Sequence, residues 1–364
     1  MATVNYTAGA CPALLFTQLE IMKGNSPGEL ISPVGLVQAL KDPTNVSTAE
    51  FEQVGDGSGH KKTVRVVSRT PVAASAVTDA FACDAGTAVP RTEALVDLTR
   101  HSHLALRVDE NAVRALCEEY SNYTRLAGIG RAGEAAASFS VMREVYETVQ
   151  AGFDAMRINI NSKLNTAMAT RTGTLVGGAA NGTYVVRKAD GSPYLDGLAR
   201  FKQDVRKTTM TGAPILVGSG LWELTNTALD YGCCNDGGTD FGQMARNAGY
   251  KFYVDDSTGT VNANPDMAIA FMPGTAHLLT FNKNVGNFAK PIGVRERGTI
   301  VDPAVPGLRY DISIIPNECG EFYDVYLDLD FDLWTAPTTL FPAGDARTGV
   351  NGIFKVIADE PATV

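Results

Sequence analysis

Histidine and tryptophan are scarce in this chain, at four and two residues among 364. Chemistry built on clustered imidazoles therefore has little material. The four histidines are His60, His101, His103 and His277. His101 and His103 would share one side of a strand, but no carboxylate or cysteine joins them at ligand spacing in the surrounding sequence. Six cysteines (Cys11, Cys83, Cys117, Cys233, Cys234 and Cys319) are scattered along the chain. The adjacent pair Cys233-Cys234 lacks the C-x-x-C spacing of a zinc knuckle or redox site, and the set reads as reduced thiols in a cytosol. No run approaches the roughly 18 consecutive apolar residues of a membrane span. No basic segment followed by an apolar core opens the chain, so no secretory signal is expected, and Asn122-Tyr123-Thr124 has no meaning as a glycan acceptor. Positive charge is also short. Against 40 Asp and Glu stand 31 Lys and Arg, for a net charge of -9. That balance argues against broad contact with phosphate backbones, though not against enclosing nucleic acid without gripping it. A composition 45% hydrophobic and 20% charged can bury a substantial core.

Proline is absent between Pro90 and Pro193, and that gap holds the most informative pattern of the chain. Phe139, Met142, Val145, Val149, Phe153, Met156, Ile160, Leu164 and Met168 follow one another at steps of three or four, which keeps them on one helical face. A helix from Ser138 to Arg171 would run about 50 Å, with Thr172-Gly173 as its stop. Gly152 costs this helix about 0.5–1 kcal/mol relative to Ala, too little to break so long a period.

Around this helix the chain divides by texture. A short helix is expected at Ala13–Met22, followed by a polar Pro/Gly-rich arm through Pro43-Thr44. Thr63–Arg69 is β-prone after a Gly-rich turn, and Val72–Phe81 is expected to return beside it. His60, Lys61, Lys62, Arg65 and Arg69 make this loop locally basic, suited either to solvent or to an acidic neighbouring subunit. Val108–Leu126 reads as a helix with Asp109-Glu110 in its first turn. After Gly173 strands are expected at Tyr184–Arg187, Ala213–Val217, Lys251–Val254 and Met267–Met272, alternating with helices at Tyr194–Lys207, Leu221–Tyr231 and Phe241–Asn247. Ile292–Ile300, Leu308–Ile315 and Glu321–Leu333 read as an antiparallel meander. No internal repeat is present.

Motifs with catalytic associations fail on context. Gly24-Asn25-Ser26-Pro27-Gly28 matches G-x-S-x-G, but a helical segment precedes the serine and proline follows it, so it reads as a turn. Gly218-Ser219-Gly220 follows a strand, but Glu223 stands where a dinucleotide fold requires its third glycine. The most unusual charge pattern is Asp324, Asp328, Asp330 and Asp332, which alternation places with Tyr326 on one face of a strand. Val325, Leu327, Leu329, Phe331 and Leu333 occupy the other. Like charges at that spacing need compensation. Three readings follow: a Ca²⁺ or Mg²⁺ site at Asp328, Asp330 and Asp332, a solvated acidic face, or pairing with Arg295 and Arg297 or with basic residues of another subunit. Pairing is preferred.

Taken in order, these segments resemble the major capsid proteins of tailed double-stranded DNA phages, the Hong Kong 97 capsid fold shared with encapsulins and herpesvirus floor domains. The resemblance rests on the central helix, on Ile215–Gly220 with Ala268–Pro273, and on Tyr310–Ile315 with Asp328–Leu333. It implies an α+β chain with an N-terminal arm at 1–45, an E-loop at 46–90 and a P-domain at 91–184 whose spine helix spans about 134–172. An A-domain at 185–288 and a return at 289–364 to the P-domain sheet and a C-terminal tail complete it. It further implies self-assembly into hexamers and pentamers, an icosahedral shell around packaged double-stranded DNA, and assembly in the host cytoplasm. Partners would be copies of itself, a portal, decoration proteins and a separate scaffolding protein. No membrane, cofactor, metal or catalytic residue is implied. The contact candidates between subunits are the basic loop residues, Arg295, Arg297 and the four aspartates. The other readings open to the sequence are an encapsulin-type nanocompartment shell, a phage tail-tube protein, and a metabolic α/β enzyme built on 185–288.

Overall fold

The structure of the protein, a computed structural model, describes residues 34–42, 45, 50–55, 62–69, 91–109, 125, 128–130, 141–170, 183–187, 214–218, 251–255, 267–283, 296–302, 304–305, 307–316, 322–336 and 352–359. Their elements are α1 (Gly35–Lys41), β1 (Glu50–Gly55), β2 (Lys62–Arg69), β3 (Arg91–Asp97), β4 (Arg100–Asp109), α2 (Val141–Ala169), β5 (Thr183–Arg187), β6 (Ile215–Val217), β7 (Lys251–Tyr253), β8 (Met267–Phe271), β9 (Ala276–Phe281), β10 (Glu296–Val301), β11 (Arg309–Pro316), β12 (Phe322–Thr335) and β13 (Ile353–Asp359). The class is α+β, with three sheets and one long helix among the described residues.

The central helix is continuous over 29 residues, Val141–Ala169, or about 43 Å. Its ends fall inside the expected 134–172. Val149, Phe153, Met156, Ile160, Leu164 and Met168 are buried on one face, as the period of the stripe requires. The side chains of Met142 and Val145, and all of Phe139, lie outside the described residues. At the C-terminal end Thr170 Oγ1 donates to Ala167 O at 2.8 Å, satisfying one carbonyl that the last turn leaves open.

The strands form a three-stranded sheet β1-β2-β3, a sheet β10-β11-β12-β4 with β9 also paired to β12, and a sheet β5-β13-β8-β6-β7. The first is antiparallel throughout, with Val64 opposite both Gln53 and Val96. The meander β10-β11-β12 is antiparallel as expected, with Gly298 opposite Ile312 and Ile312 opposite Leu327. The third sheet is mixed: β13 runs parallel to β5 and antiparallel to β8, and β6 runs antiparallel to β8 and parallel to β7.

Several expectations need correction. The strand β4 continues through Asp109, so no helix begins at Val108, and Asp109 is a strand residue. The strand that returns beside β2 is β3, past the expected limit of the loop at 90, whereas Val72–Phe81 lies outside the described residues. Residues Leu36, Val37, Ala39 and Leu40, expected in a polar arm, are the buried face of α1. The strand β9 was not expected, and it pairs with β12 rather than with the A-like strands. The strand β13, expected with the P-domain sheet and tail, joins β5 and β8 instead. The helices at Ala13–Met22, Tyr194–Lys207, Leu221–Tyr231 and Phe241–Asn247, the G-x-S-x-G turn and Cys233-Cys234 fall outside the described residues.

The chain divides into two compact units. The first holds the described parts of His101–Asn159 and Asn282–Asp330. In it Phe153 of the helix stacks on Tyr310 of β11, with ring centroids 5.6 Å apart. The helix comes close to β4 at Gly152, where a Cβ would stand 2.8 Å from Leu106 Cδ1 and 3.3 Å from Leu104 Cδ2. Glycine is there for space, despite its cost in propensity. The buried Arg157 guanidinium reaches Asp302 at 2.9 Å and Asp154 at 3.0 Å. Asp302 also accepts from Ala304 N, Val305 N and the Tyr310 hydroxyl, closing the turn that leads into β11.

The second unit holds the described parts of Pro33–Arg100, Ile160–Phe281 and Phe331–Val364. Its centre is Asp255, fully buried. One of its carboxylate oxygens accepts from Leu36 N at 3.0 Å, Asn161 Nδ2 at 2.9 Å and Asn165 Nδ2 at 3.3 Å. Asn161 Oδ1 in turn accepts from Val37 N at 3.2 Å. The N-terminus of α1, the C-terminal part of α2 and the segment just after β7 are therefore joined at one side-chain oxygen. Elsewhere in this unit Val64 and Val66 of β2 pack with Leu279, Trp334 and Ala336, against Val96 and Leu98.

Candidate functional site

The acidic strand β12 is positioned by its apolar face: Val325, Leu327, Leu329, Phe331 and Leu333 are all buried. Strand alternation then turns the aspartates to the opposite face. In the first unit Asp324 accepts from Arg107 Nε at 3.2 Å, Asp328 lies 2.6 Å from His103 Nδ1, and Asp330 lies 2.6 Å from His101 Nδ1. Lys283 Nζ stands 3.3 Å from the second oxygen of Asp330. In the second unit Asp332 accepts from the Thr99 hydroxyl at 2.8 Å and pairs with the Arg100 guanidinium. Each step forward along β12 is met by a step back along β4, as in an antiparallel pair.

Pairing of some kind, with Arg295 and Arg297 or with another subunit, was the preferred reading; among the described residues the aspartates instead meet groups on β4 and Lys283. The partners are Arg100, His101, His103 and Arg107 of β4 together with Lys283. Arg297 sits on β10, opposite Ser313 of β11, and Ser313 in turn is opposite Tyr326. One strand therefore separates Arg297 from β12. Arg295 lies outside the described residues, as do His60 and Lys61. Lys62 and Arg69 occupy the two ends of β2, and Arg65, half-buried, stands between them opposite Glu52 and Leu95.

The middle rungs of the ladder are imidazoles. His101 and His103 alternate outward along β4 around the buried Ser102, and their rings stack with centroids 6.2 Å apart. The His103 ring also stacks on Tyr326, at 5.6 Å. His101 Nε2 stands 3.4 Å from Asp328 Oδ1. His101, His103 and Asp328 each offer one ligand atom, and these atoms lie within 4.8 Å of one another. The expectation that no carboxylate joins the two histidines is thus overturned by β12. The alternation of Arg100–Asp109 is visible in the sequence, but nothing in it names β12 as the partner.

The second unit carries three titratable groups displaced by burial. Lys41, the last residue of α1, donates to Thr280 Oγ1 at 3.2 Å, and desolvation lowers it to about 8. His277 is held down at about 4 by burial and then by the charge of Lys41. Tyr253 is raised to about 12 by burial and by its bond to Asp42, beside Asn45, whose Oδ1 accepts from Lys251 at 2.7 Å. No helix among the described residues is long and apolar enough to cross a membrane.

No family model matches the chain, and no curated protein does. Among solved structures the chain is similar to a subunit of the cyanophage A-1(L) capsid asymmetric unit, at 12% identity and a TM-score of 0.48, over 92% of this chain and 94% of that one. It is also similar to the capsid of Ralstonia phage GP4, at 9% identity and a TM-score of 0.44, over 86% and 88%. A third match is the mature capsid of bacteriophage PhiM1, at 13% identity and a TM-score of 0.38, over 92% and 89%.

Proposed function

We propose that this chain is the major capsid protein of a tailed double-stranded DNA phage, a structural subunit and not an enzyme. The observation that carries the reading is the unbroken helix of 29 residues. Its buried face includes Val149, Phe153, Met156, Ile160, Leu164 and Met168. A single rod held in this way suits a subunit that must transmit load between edges. The three-stranded excursion β1-β2-β3, the meander β10-β11-β12 and the mixed sheet β5-β13-β8-β6-β7 support the reading as candidates for the loop, floor sheet and α/β part that the resemblance names.

In this reading copies of the chain form pentamers and hexamers, and these close into an icosahedral shell. Heterologous rings of one surface meeting another are the symmetric route to such closure, and many modest contacts per subunit add as in multivalent binding. The basic loop residues His60, Lys61, Lys62, Arg65 and Arg69 reach acidic surface on a neighbour. The net charge of -9 suits a wall that confines DNA without adhering to it. Scaffolding, portal and decoration proteins are the partners, and the virion is the location. Negative-stain electron microscopy of the expressed protein, alone and with a scaffolding protein, is expected to show rings or shells. A strictly monomeric species at high concentration under both conditions would contradict the proposal.

A further inference from the structure

We propose that His101, His103 and Asp328 form a binding site for a divalent first-row transition metal, a role separate from building a shell. Two imidazole nitrogens and one carboxylate oxygen select Zn²⁺, Ni²⁺ or Co²⁺ over Mg²⁺ and Ca²⁺, which take oxygen ligands in larger numbers. The His101-Ser102-His103 spacing places both rings on one face of β4, and β12 delivers the carboxylate between them. A metal about 2.0–2.2 Å from each ligand holds tetrahedral neighbours about 3.3 Å apart. His101 Nε2 and Asp328 Oδ1 already stand at 3.4 Å. His103 Nδ1, at 2.6 Å from the same oxygen, ligates through the tautomer protonated on Nε2, after a small outward swing of an exposed ring.

A second observation points the same way. His101 Nδ1 is held at 2.6 Å by Asp330, a carboxylate only 3% exposed. In the tautomer that donates Nδ1–H to Asp330, Nε2 is the lone-pair nitrogen, facing Asp328. A carboxylate gripping the far nitrogen of a ligating histidine is the usual support of a metal-bound imidazole. Lys283 sits on the other oxygen of Asp330, and Asp332 is taken by Thr99 and Arg100. Both contacts act against an oxygen-only cation site at Asp328, Asp330 and Asp332, and leave Asp328 as the carboxylate that joins the histidines. The side chains of His101, His103 and Asp328 are 43%, 46% and 24% exposed, so an ion reaches the site from solvent.

The test is calorimetric titration of the full chain with Zn²⁺, and separately with Ca²⁺, for the natural sequence and for His103→Ala, His103→Gln and Asp328→Asn. His103→Gln keeps an amide donor toward Asp328 and removes the imidazole. Circular dichroism verifies that each variant is folded. The proposal predicts one Zn²⁺ per chain that is lost, or weakened by roughly tenfold or more, in every variant, since even an outer partner of a metal site is worth that much. Excess Ca²⁺ should not compete. Isotherms that match between the natural sequence and His103→Ala would place the metal elsewhere, on cysteines for instance, and overturn the proposal. So would Ca²⁺ binding that survives His103→Gln, or no saturable Zn²⁺ binding at all.

Discussion

Removing the guanidinium of Arg157 would strand Asp302, which is fully buried beside it. Desolvation acts to lower Arg157, but the charge of Asp302 and the hydrogen bonds that Arg157 donates to Asp154 and Asp302 outweigh it, and the net shift is upward. Arg157→Met is therefore expected to cost about 3–5 kcal/mol, as for other buried pairs broken on one side, while the exposed Asp324–Arg107 rung should cost under about 1 kcal/mol. Urea unfolding of Arg157→Met and Arg107→Met checks the contrast. Gly35 offers a second test, since a Cβ there would stand 2.4 Å from Val254 O. Backbone cannot yield as a side-chain tip does, so Gly35→Ala should lower the urea midpoint by the equivalent of about 1–3 kcal/mol. His277 adds a pH dependence. With a folded value of about 4 against the ordinary 6.5, it binds its proton more readily when unfolded. Its contribution is complete above about pH 6.5 and is lost as pH falls toward 4, on the order of 3 kcal/mol in all. The stability difference between the natural sequence and His277→Asn should shrink over that window.

At the scale of the element, the long helix is the feature most exposed to test. Ile158 is 46% exposed, so Ile158→Ala removes little packing. Ile158→Pro removes a helical hydrogen bond and clashes one turn back, for about 3 kcal/mol or more. The alanine variant should assemble as the natural sequence does, and the proline variant should yield no rings by sedimentation velocity.

This element was also the most legible in sequence, because a period of 3.6 sustained over so many residues has one structural solution. The meander was legible for a similar reason, its aspartates alternating strictly with apolar residues. Where alternation failed, so did the reading: Ala276–Phe281 is mostly buried, including adjacent Leu278 and Leu279, and carries no period. The helix α1 was hidden by its brevity between Pro33 and Pro43, although Leu36, Val37 and Leu40 have helical spacing. The pairing of β4 with β12 was out of reach because its contacts join residues such as His103 and Asp328, 225 positions apart. Nothing local distinguishes β4 as their partner from the equally basic segment holding Arg295 and Arg297. The buried Asn161 and Asn165 sit one position beyond apolar stripe residues, and their role depends on Asp255, which is also remote.

For the whole molecule, the account requires that the chain meets copies of itself in rings. A net charge of -9 sets long-range repulsion between subunits, and this is screened within about 10 Å at 0.1 M salt. Assembly is therefore expected to be faster and more complete at moderate salt than at very low salt, read by light scattering. Native mass spectrometry of the assembled protein, gently dissociated, addresses the central claim most directly. The account predicts pentameric and hexameric rings of the intact chain. Monomers and dimers alone, from a preparation that had shown no larger species, would contradict it.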